Sequence, residues 1–172
     1  MAKVDGTPGA DRLVGTDGDD LVLGLGGNDL IDGLGGDDDL RGGGGSDVIT
    51  DDGGNDGLSG NGGRDRLIDC AGDDTYWGGG GRDSFVFSQG GEPGLPFADG
   101  TNWINDFVRG EDALAFLDTL DPDSNGDGRL DGRDDGVSVS SGDLTIEFGA
   151  GGDTVTLRDI TRLGADDWSW SG

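Results

Sequence analysis

Histidine is missing from this chain altogether, cysteine occurs once, and glutamate only three times, at Glu92, Glu111 and Glu147. The first absence removes the commonest ligand for zinc and copper and the commonest general base. The lone Cys70 has no internal disulfide partner, so no covalent staple reinforces the core. Basic residues are scarce: 11 Lys and Arg stand against 37 acidic residues, for a net charge of −26. Such a surface lacks the positive footprint of a nucleic-acid or anionic-lipid binder. Apolar residues make up 31% and aromatics 6%, too few for a broad core, and no apolar run approaches membrane-spanning length. The start, Met1-Ala2-Lys3-Val4-Asp5, lacks the apolar stretch of a secretory signal peptide. That leaves three readings: a cytosolic protein, an export signal elsewhere in the chain, or an expression start on a fragment.

What is abundant is equally pointed. The chain has 40 glycines, and its acidic residues other than the three glutamates are all aspartates. A merely solvating surface would mix the two acids. Aspartate tolerates left-handed backbone, supports turns and holds its carboxylate close to the main chain, a bias toward turns and hard-cation ligation.

These residues fall in a nine-residue period without a slip. Aspartate recurs at Asp11, Asp20, Asp29, Asp38, Asp47, Asp56, Asp65, Asp74 and Asp83. Two positions before each stands a glycine, from Gly9 and Gly18 through Gly81. Two positions after each stands a hydrophobe: Leu13, Val22, Ile31, Leu40, Ile49, Leu58, Leu67, Tyr76 and Phe85. Six glycine-rich residues make a turn and three make a minimal strand with one side chain pointing inward. Two repeats complete a coil, so residues eighteen apart stack. Asp11, Asp29, Asp47, Asp65 and Asp83 then share one edge, and Asp20, Asp38, Asp56 and Asp74 the other.

The unit Gly-Gly-x-Gly-x-Asp-x-U-x, seen in full at Gly42-Gly43-Gly44-Gly45-Ser46-Asp47-Val48-Ile49-Thr50, resembles the repeat of RTX (hemolysin-type) calcium-binding proteins. The resemblance covers residues 6–86. It implies an all-β fold, a parallel β-roll (β-solenoid) of nine nonapeptide repeats over 6–87. A small, mainly β C-terminal capping region would follow over 88–172. It also implies Ca²⁺ ions held between stacked turns by the repeat aspartates and by turn carbonyls such as those of Gly24, Gly26, Gly33, Gly35, Gly42, Gly44, Gly60 and Gly62. Four gaps on one edge and three on the other allow up to seven ions. Some repeats depart from the pattern. The first two open on Gly6-Thr7-Pro8 and Gly15-Thr16-Asp17, where a distorted or empty site is expected. Asp51-Asp52 and Asp69-Cys70-Ala71 replace leading glycines, and the required backbone angles are harder to reach there.

Metal is expected to decide folding. Apo turn carboxylates repel at close range, and glycine favours the unfolded chain. With free calcium at ten times the dissociation constant, seven sites contribute roughly 10 kcal/mol, comparable to the stability of a whole domain. A chain tuned to extracellular calcium stays unfolded where the ion is scarce. In RTX proteins that fits export through a type I apparatus with a C-terminal signal, and hence a secreted or cell-surface protein.

The second half holds further expectations. Ser84-Phe85-Val86-Phe87 carries larger hydrophobes suited to covering the open end of a solenoid. Trp103 to Asp112 resembles the segment after the roll in serralysin-type RTX proteins, read as a capping strand and turn with a peripheral calcium at Asp106 and Asp112. Residues 123–134 match an EF-hand-like loop. Its oxygen donors are Asp123, Asn125, Asp127, Asp131 and Asp134, with the Arg129 carbonyl, and Gly128 stands at the sharp turn. Ala113 to Leu120 reads as one or two weak helical turns beside it. Alternation over 143–148 and 153–158 predicts a hairpin, and Trp168 and Trp170 share one face as part of the cap.

The residues thus point to a non-catalytic calcium module, the C-terminal part of a type I-secreted protein. Two other readings stand beside it. One is an adhesion module for polysaccharide or a cell-surface ligand, with Trp77, Trp103, Trp168 and Trp170 as candidate platforms. The other is an accessory domain of a secreted hydrolase, whose zinc-histidine, Gly-x-Ser-x-Gly and triad motifs are absent from these residues.

Overall fold

A glycine-rich chain with one inward hydrophobe per nine residues has a single economical way to exclude water: stacking those hydrophobes in columns. The computed structural model shows that stacking, and describes residues 1–68, 71–88, 100–117, 129, 131–132, 136–148 and 153–171. Ten strands cover the repeats. They are β1 (Ala2–Asp5), β2 (Arg12–Val14), β3 (Asp20–Leu23), β4 (Leu30–Asp32), β5 (Asp39–Gly45), β6 (Val48–Thr50), β7 (Gly57–Gly63), β8 (Arg66–Ile68), β9 (Thr75–Gly81) and β10 (Ser84–Ser88). Six follow: β11 (Thr101–Ile104), β12 (Ala113–Leu117), β13 (Val137–Ser140), β14 (Asp143–Phe148), β15 (Asp153–Leu157) and β16 (Trp168–Ser171). No helix occurs among the described residues, so none there is long and apolar enough to cross a membrane.

The chain alternates between two sheets whose strands are parallel throughout the repeats. One runs β1-β3-β5-β7-β9-β11-β15-β14-β13, the other β2-β4-β6-β8-β10-β12-β16. Register puts the inward column in line: Leu13 beside Ile31, Ile31 beside Ile49, Ile49 beside Leu67, and Leu67 beside Phe85. Opposite them stand Val22, Leu40, Leu58 and Tyr76, likewise paired in sequence. All nine repeat hydrophobes are buried. Each pairing spans eighteen residues, which is the two-repeat coil the nine-residue period implies.

The array does not end at Phe87. β11 pairs with β9, and β12 with β10, setting Ile104 beside Tyr76 and Leu114 beside Phe85. Ala113–Leu117 is therefore a strand rather than a helical turn, because its register continues an existing sheet edge. Tyr76, Phe85 and Phe87 fill a widening core through edge-on ring contacts, Tyr76 to Phe85 at 6.4 Å and Tyr76 to Phe87 at 5.8 Å. The expected hairpin is present: β14 and β15 are antiparallel, with Ile146 opposite Val155. β15 joins the first sheet beside β11, and β16 closes the second beside β12, placing Trp168 next to Leu114.

Candidate metal centre

Each repeat aspartate stands where a turn enters a strand, and it has two jobs. The first uses Oδ1. The main-chain N–H of Asp11 donates to Oδ1 of Asp29 at 2.8 Å, Asp29 to Asp47 at 2.8 Å, Asp47 to Asp65 at 2.8 Å and Asp65 to Asp83 at 2.9 Å. On the opposite edge the series is Ala2 to Asp20 at 2.6 Å, then Asp20 to Asp38, Asp38 to Asp56 and Asp56 to Asp74 at 2.7–2.8 Å. Every bond spans one coil. An added methylene would carry a glutamate's oxygens past this acceptor position, which explains the choice of aspartate.

The second job belongs to Oδ2. In Asp29, Asp47, Asp65 and Asp83 on one edge, and Asp38 and Asp56 on the other, that oxygen is buried with no hydrogen-bond partner. A buried carboxylate oxygen without a partner carries a heavy desolvation cost unless a cation sits beside it. The glycine five residues earlier makes the space. A Cβ on Gly33 would lie 2.6 Å from Oδ2 of Asp38, and one on Gly78 2.6 Å from Oδ2 of Asp83; Gly24, Gly42 and Gly60 stand in the same relation to Asp29, Asp47 and Asp65. Oxygen-only donors of this charge suit calcium.

The ends of the ladder are treated differently. Thr7 donates both its N–H and its hydroxyl to Oδ2 of Asp11, at 2.6 and 2.8 Å, and Thr16 does the same to Asp20 at 2.7 and 2.8 Å. At the far end Asp74 meets the Tyr76 hydroxyl at 3.3 Å. Asn102 and Asp112 extend the two ladders, their Oδ1 atoms accepting from Asp74 and Asp83 at 2.9 Å. Asn102 presents an amide nitrogen where its predecessors present Oδ2, and Oδ2 of Asp112 accepts from Val108 N–H at 2.8 Å. Asp106 accepts from the N–H groups of Gly78 and Gly79, both at 2.9 Å. Asp106 and Asp112 are thus backbone caps of the last turn, where the sequence suggested a peripheral ion.

The Asp51-Asp52 turn has its own backbone. Its neighbours put the residue four before the ladder aspartate in the left-handed region: Leu25 (φ 74°), Leu34 (φ 77°), Gly43 (φ 109°), Asn61 (φ 71°) and Gly79 (φ 93°). Asp52 does not follow them; its N–H donates instead to the Leu34 carbonyl at 2.7 Å and to Oδ1 of Asp51 at 2.6 Å. Asp51 itself is buried, and its Oδ1 accepts from the N–H groups of Asp52 and Gly53.

Burial dominates the acidities. It pushes Asp38, Asp65 and Asp74 up to about 6, against an ordinary 3.8, with hydrogen bonds from Asp20, Asp47 and Asp56 backbone opposing it. Asp47 and Asp83 rise for the same reason. Asp51 and Asp56 are both raised, by burial first and then by neighbouring carboxylates. Asp20 moves the other way, lowered first by the Ala2 N–H and further by Thr16. The raised carboxylates resist carrying bare negative charge, and that of Asp20 does not.

The family profile of the RTX calcium-binding nonapeptide repeat matches residues 5–40, 32–67 and 70–85, in four copies. The chain carries RTX calcium-binding repeats. The RTX array accounts for the β-roll and for its ladder of buried aspartates. Two solved structures are similar to the chain. Extracellular lipase LipA from Serratia marcescens is 17% identical with a TM-score of 0.42, over 98% of this chain and 40% of that one. The R3 subunit of the Azotobacter vinelandii mannuronan C5-epimerase is 24% identical with a TM-score of 0.42, over 95% of this chain and 80% of that one. This chain therefore spans less than half the length of the lipase. No curated protein matches it by sequence.

The RTX repeats bring together the nine aspartates named from sequence, in the two edges expected. Of the turn glycines, Gly26 bridges to Gly44 and Gly35 to Gly53, and the Gly44 carbonyl accepts from Gly27 N–H at 2.7 Å. In the EF-hand-like loop, Asp123, Asn125, Asp127 and Asp134 lie outside the described residues, while Arg129 and Asp131 lie within them. Cys70 lies outside them as well. Sequence reading missed a second, exposed ladder. Asp19, Asp37, Asn55 and Asp73 accept in turn from the N–H groups of Asp37, Asn55, Asp73 and Thr101, at 2.8–3.1 Å. Read every nine residues, the position before the aspartate looks irregular. Read every eighteen, this edge is all Asp or Asn.

Proposed function

We propose that this chain is a non-catalytic calcium module whose coil forms when calcium enters the turn edges, and that it serves folding, export and stability of a type I-secreted protein. One observation carries the reading: a stack of buried aspartates, each with one oxygen satisfied by the adjacent coil and the other left without a partner. Asp29, Asp47, Asp65 and Asp83 on one edge, with Asp38 and Asp56 on the other, are the proposed ligands, joined by carbonyls of the turn glycines. Threonine capping withdraws Asp11 and Asp20, so the array takes fewer ions than the seven its repeat number allows. The loop over 123–134 adds a site of EF-hand type. Folding on calcium suits a chain that must stay open where calcium is low and close where it is high, which supports a secreted or cell-surface location.

Circular dichroism during a calcium titration of the full chain, with magnesium as control, tests this. A β-signal gained with calcium and not with magnesium is expected. An ordered coil in excess chelator at neutral pH would overturn the reading.

A second reading, polysaccharide binding, has its own observation. Trp77 is 41% exposed in a groove of about 480 Å³ shared with Asp39, Arg41, Ser59 and Asn61. An indole face beside polar planar groups suits a sugar ring. A glycan array in calcium buffer separates binder from spacer.

A further inference from the structure

Asp51 stands where the neighbouring repeats have glycine: Gly24, Gly33, Gly42, Gly60 and Gly78 each lie five residues before a ladder aspartate, and Asp51 lies five before Asp56. Those glycines leave room beside Oδ2. Asp51 fills that room with a second carboxylate. It is 2% exposed, and its Oδ2 has no hydrogen-bond partner. Ligand oxygens of Asp38, Asp51 and Asp56 all lie within 4.8 Å of one another, and all three side chains are buried. Asp51 reaches across the coil as well, since a Cβ on Gly33 would meet its Oδ2 at 2.8 Å and that of Asp38 at 2.6 Å. Asp32, next to Gly33, adds another buried oxygen without a partner.

Among the described residues no salt bridge reaches Asp38, Asp51 or Asp56; the ion pairs there join Lys3 to Asp5, Arg41 to Asp39 and Arg109 to Asp167. Three buried carboxylates held this close need a cation between them or must hold a proton. In the other described turns the residue five before the ladder aspartate is glycine and only the ladder carboxylate points inward; this turn offers two.

We propose that Asp51 adds a third carboxylate to the cation site shared by Asp38 and Asp56, and that calcium enters this site first. The inference rests on the calcium reading above. Ligand charge tunes calcium affinity, and one extra carboxylate beside a divalent ion is worth on the order of tenfold in dissociation constant. Filling this centre first joins the coils of Asp38 and Asp56 in mid-array, so later ions meet turns already aligned.

The test is calcium titration of the full chain in competition with a chromophoric chelator, for wild type, Asp51→Gly and Asp51→Asn. Asp51→Gly restores the residue of the neighbouring repeats. The wild type is expected to show one binding step about tenfold tighter than the rest. Both variants should lose that step, keep the weaker ones, and reach the wild-type dichroism at saturating calcium. Superimposable isotherms for wild type and variants, or tighter first binding in Asp51→Gly, overturn the proposal. If Asp51→Gly fails to fold in saturating calcium, the isotherm of Asp51→Asn decides by the same criterion. A wild type that binds no calcium at all fails the function reading instead, a result separate from either.

Discussion

The main-chain N–H of Asp38 donates to Oδ1 of Asp56 at 2.7 Å, while Oδ2 of that same carboxylate is buried without a partner. One side chain thus both stitches two coils together and offers a charge for metal. The two roles separate under substitution.

Asp47→Asn keeps an Oδ1 acceptor for the Asp29 N–H and removes the charge. Calcium affinity should fall, with the coil still forming at high calcium. Asp47→Ala also strands the buried Asp29 N–H, at a further cost of about 1–3 kcal/mol. Calcium titration with thermal unfolding distinguishes the pair; equal unfolding temperatures at saturating calcium would remove the stitching role.

Glycine substitutions should divide by what a Cβ meets. Gly42→Ala drives a methyl into the Asp47 carboxylate, whereas Gly44→Ala meets nothing within 4 Å and has an ordinary φ. The first should weaken calcium binding and cost about 2 kcal/mol or more; the second should stay within about 1 kcal/mol of wild type. Denaturation in calcium buffer measures both.

Thr16→Val removes the hydroxyl bond to Asp20 and leaves the N–H bond. Stability should drop by about 1 kcal/mol, with no change in the number of calcium ions bound. A loss of stoichiometry in calorimetry would show that Asp20 binds metal and that the threonine is no cap.

Acid should partly replace calcium. Asp38, Asp65 and Asp74 titrate near 6 in the coil against 3.8 ordinarily, and Asp51 and Asp56 are raised as well. Groups whose pKa is raised on folding favour the folded state below their unfolded pKa, and that contribution is lost as pH rises through the folded pKa. In chelator, the β-signal should therefore be stronger near pH 4 than at pH 7. In calcium, binding should release protons and weaken below about pH 6. A metal-free signal unchanged between these values would refute the assignment of buried carboxylates.

Much of this was legible before any coordinates. An unbroken nine-residue period named the ladder aspartates and the inward column from Leu13 to Phe85, since each repeat has one residue able to hide from water. The hairpin over β14 and β15 was legible from strict alternation. The continuation through β11 and β12 was not: the spacing from Asp74 to Asn102 is 28 residues and from Asp83 to Asp112 is 29, so the period breaks while the hydrogen bonds persist.

Composition and period, by themselves, determined that this chain coils, that it does so in eighteen-residue turns, and that its carboxylates demand a hard cation. These follow from local rules: one hydrophobe to bury, glycines for the turn, aspartate close to the main chain. Only the tertiary structure decided which oxygens lack a partner, since whether Thr16, Tyr76 or nothing faces a carboxylate depends on how the chain folds around each turn. It also decided that the Asp51 carboxylate lies beside those of Asp38 and Asp56, because the stacking of adjacent coils sets which side chains share a turn edge.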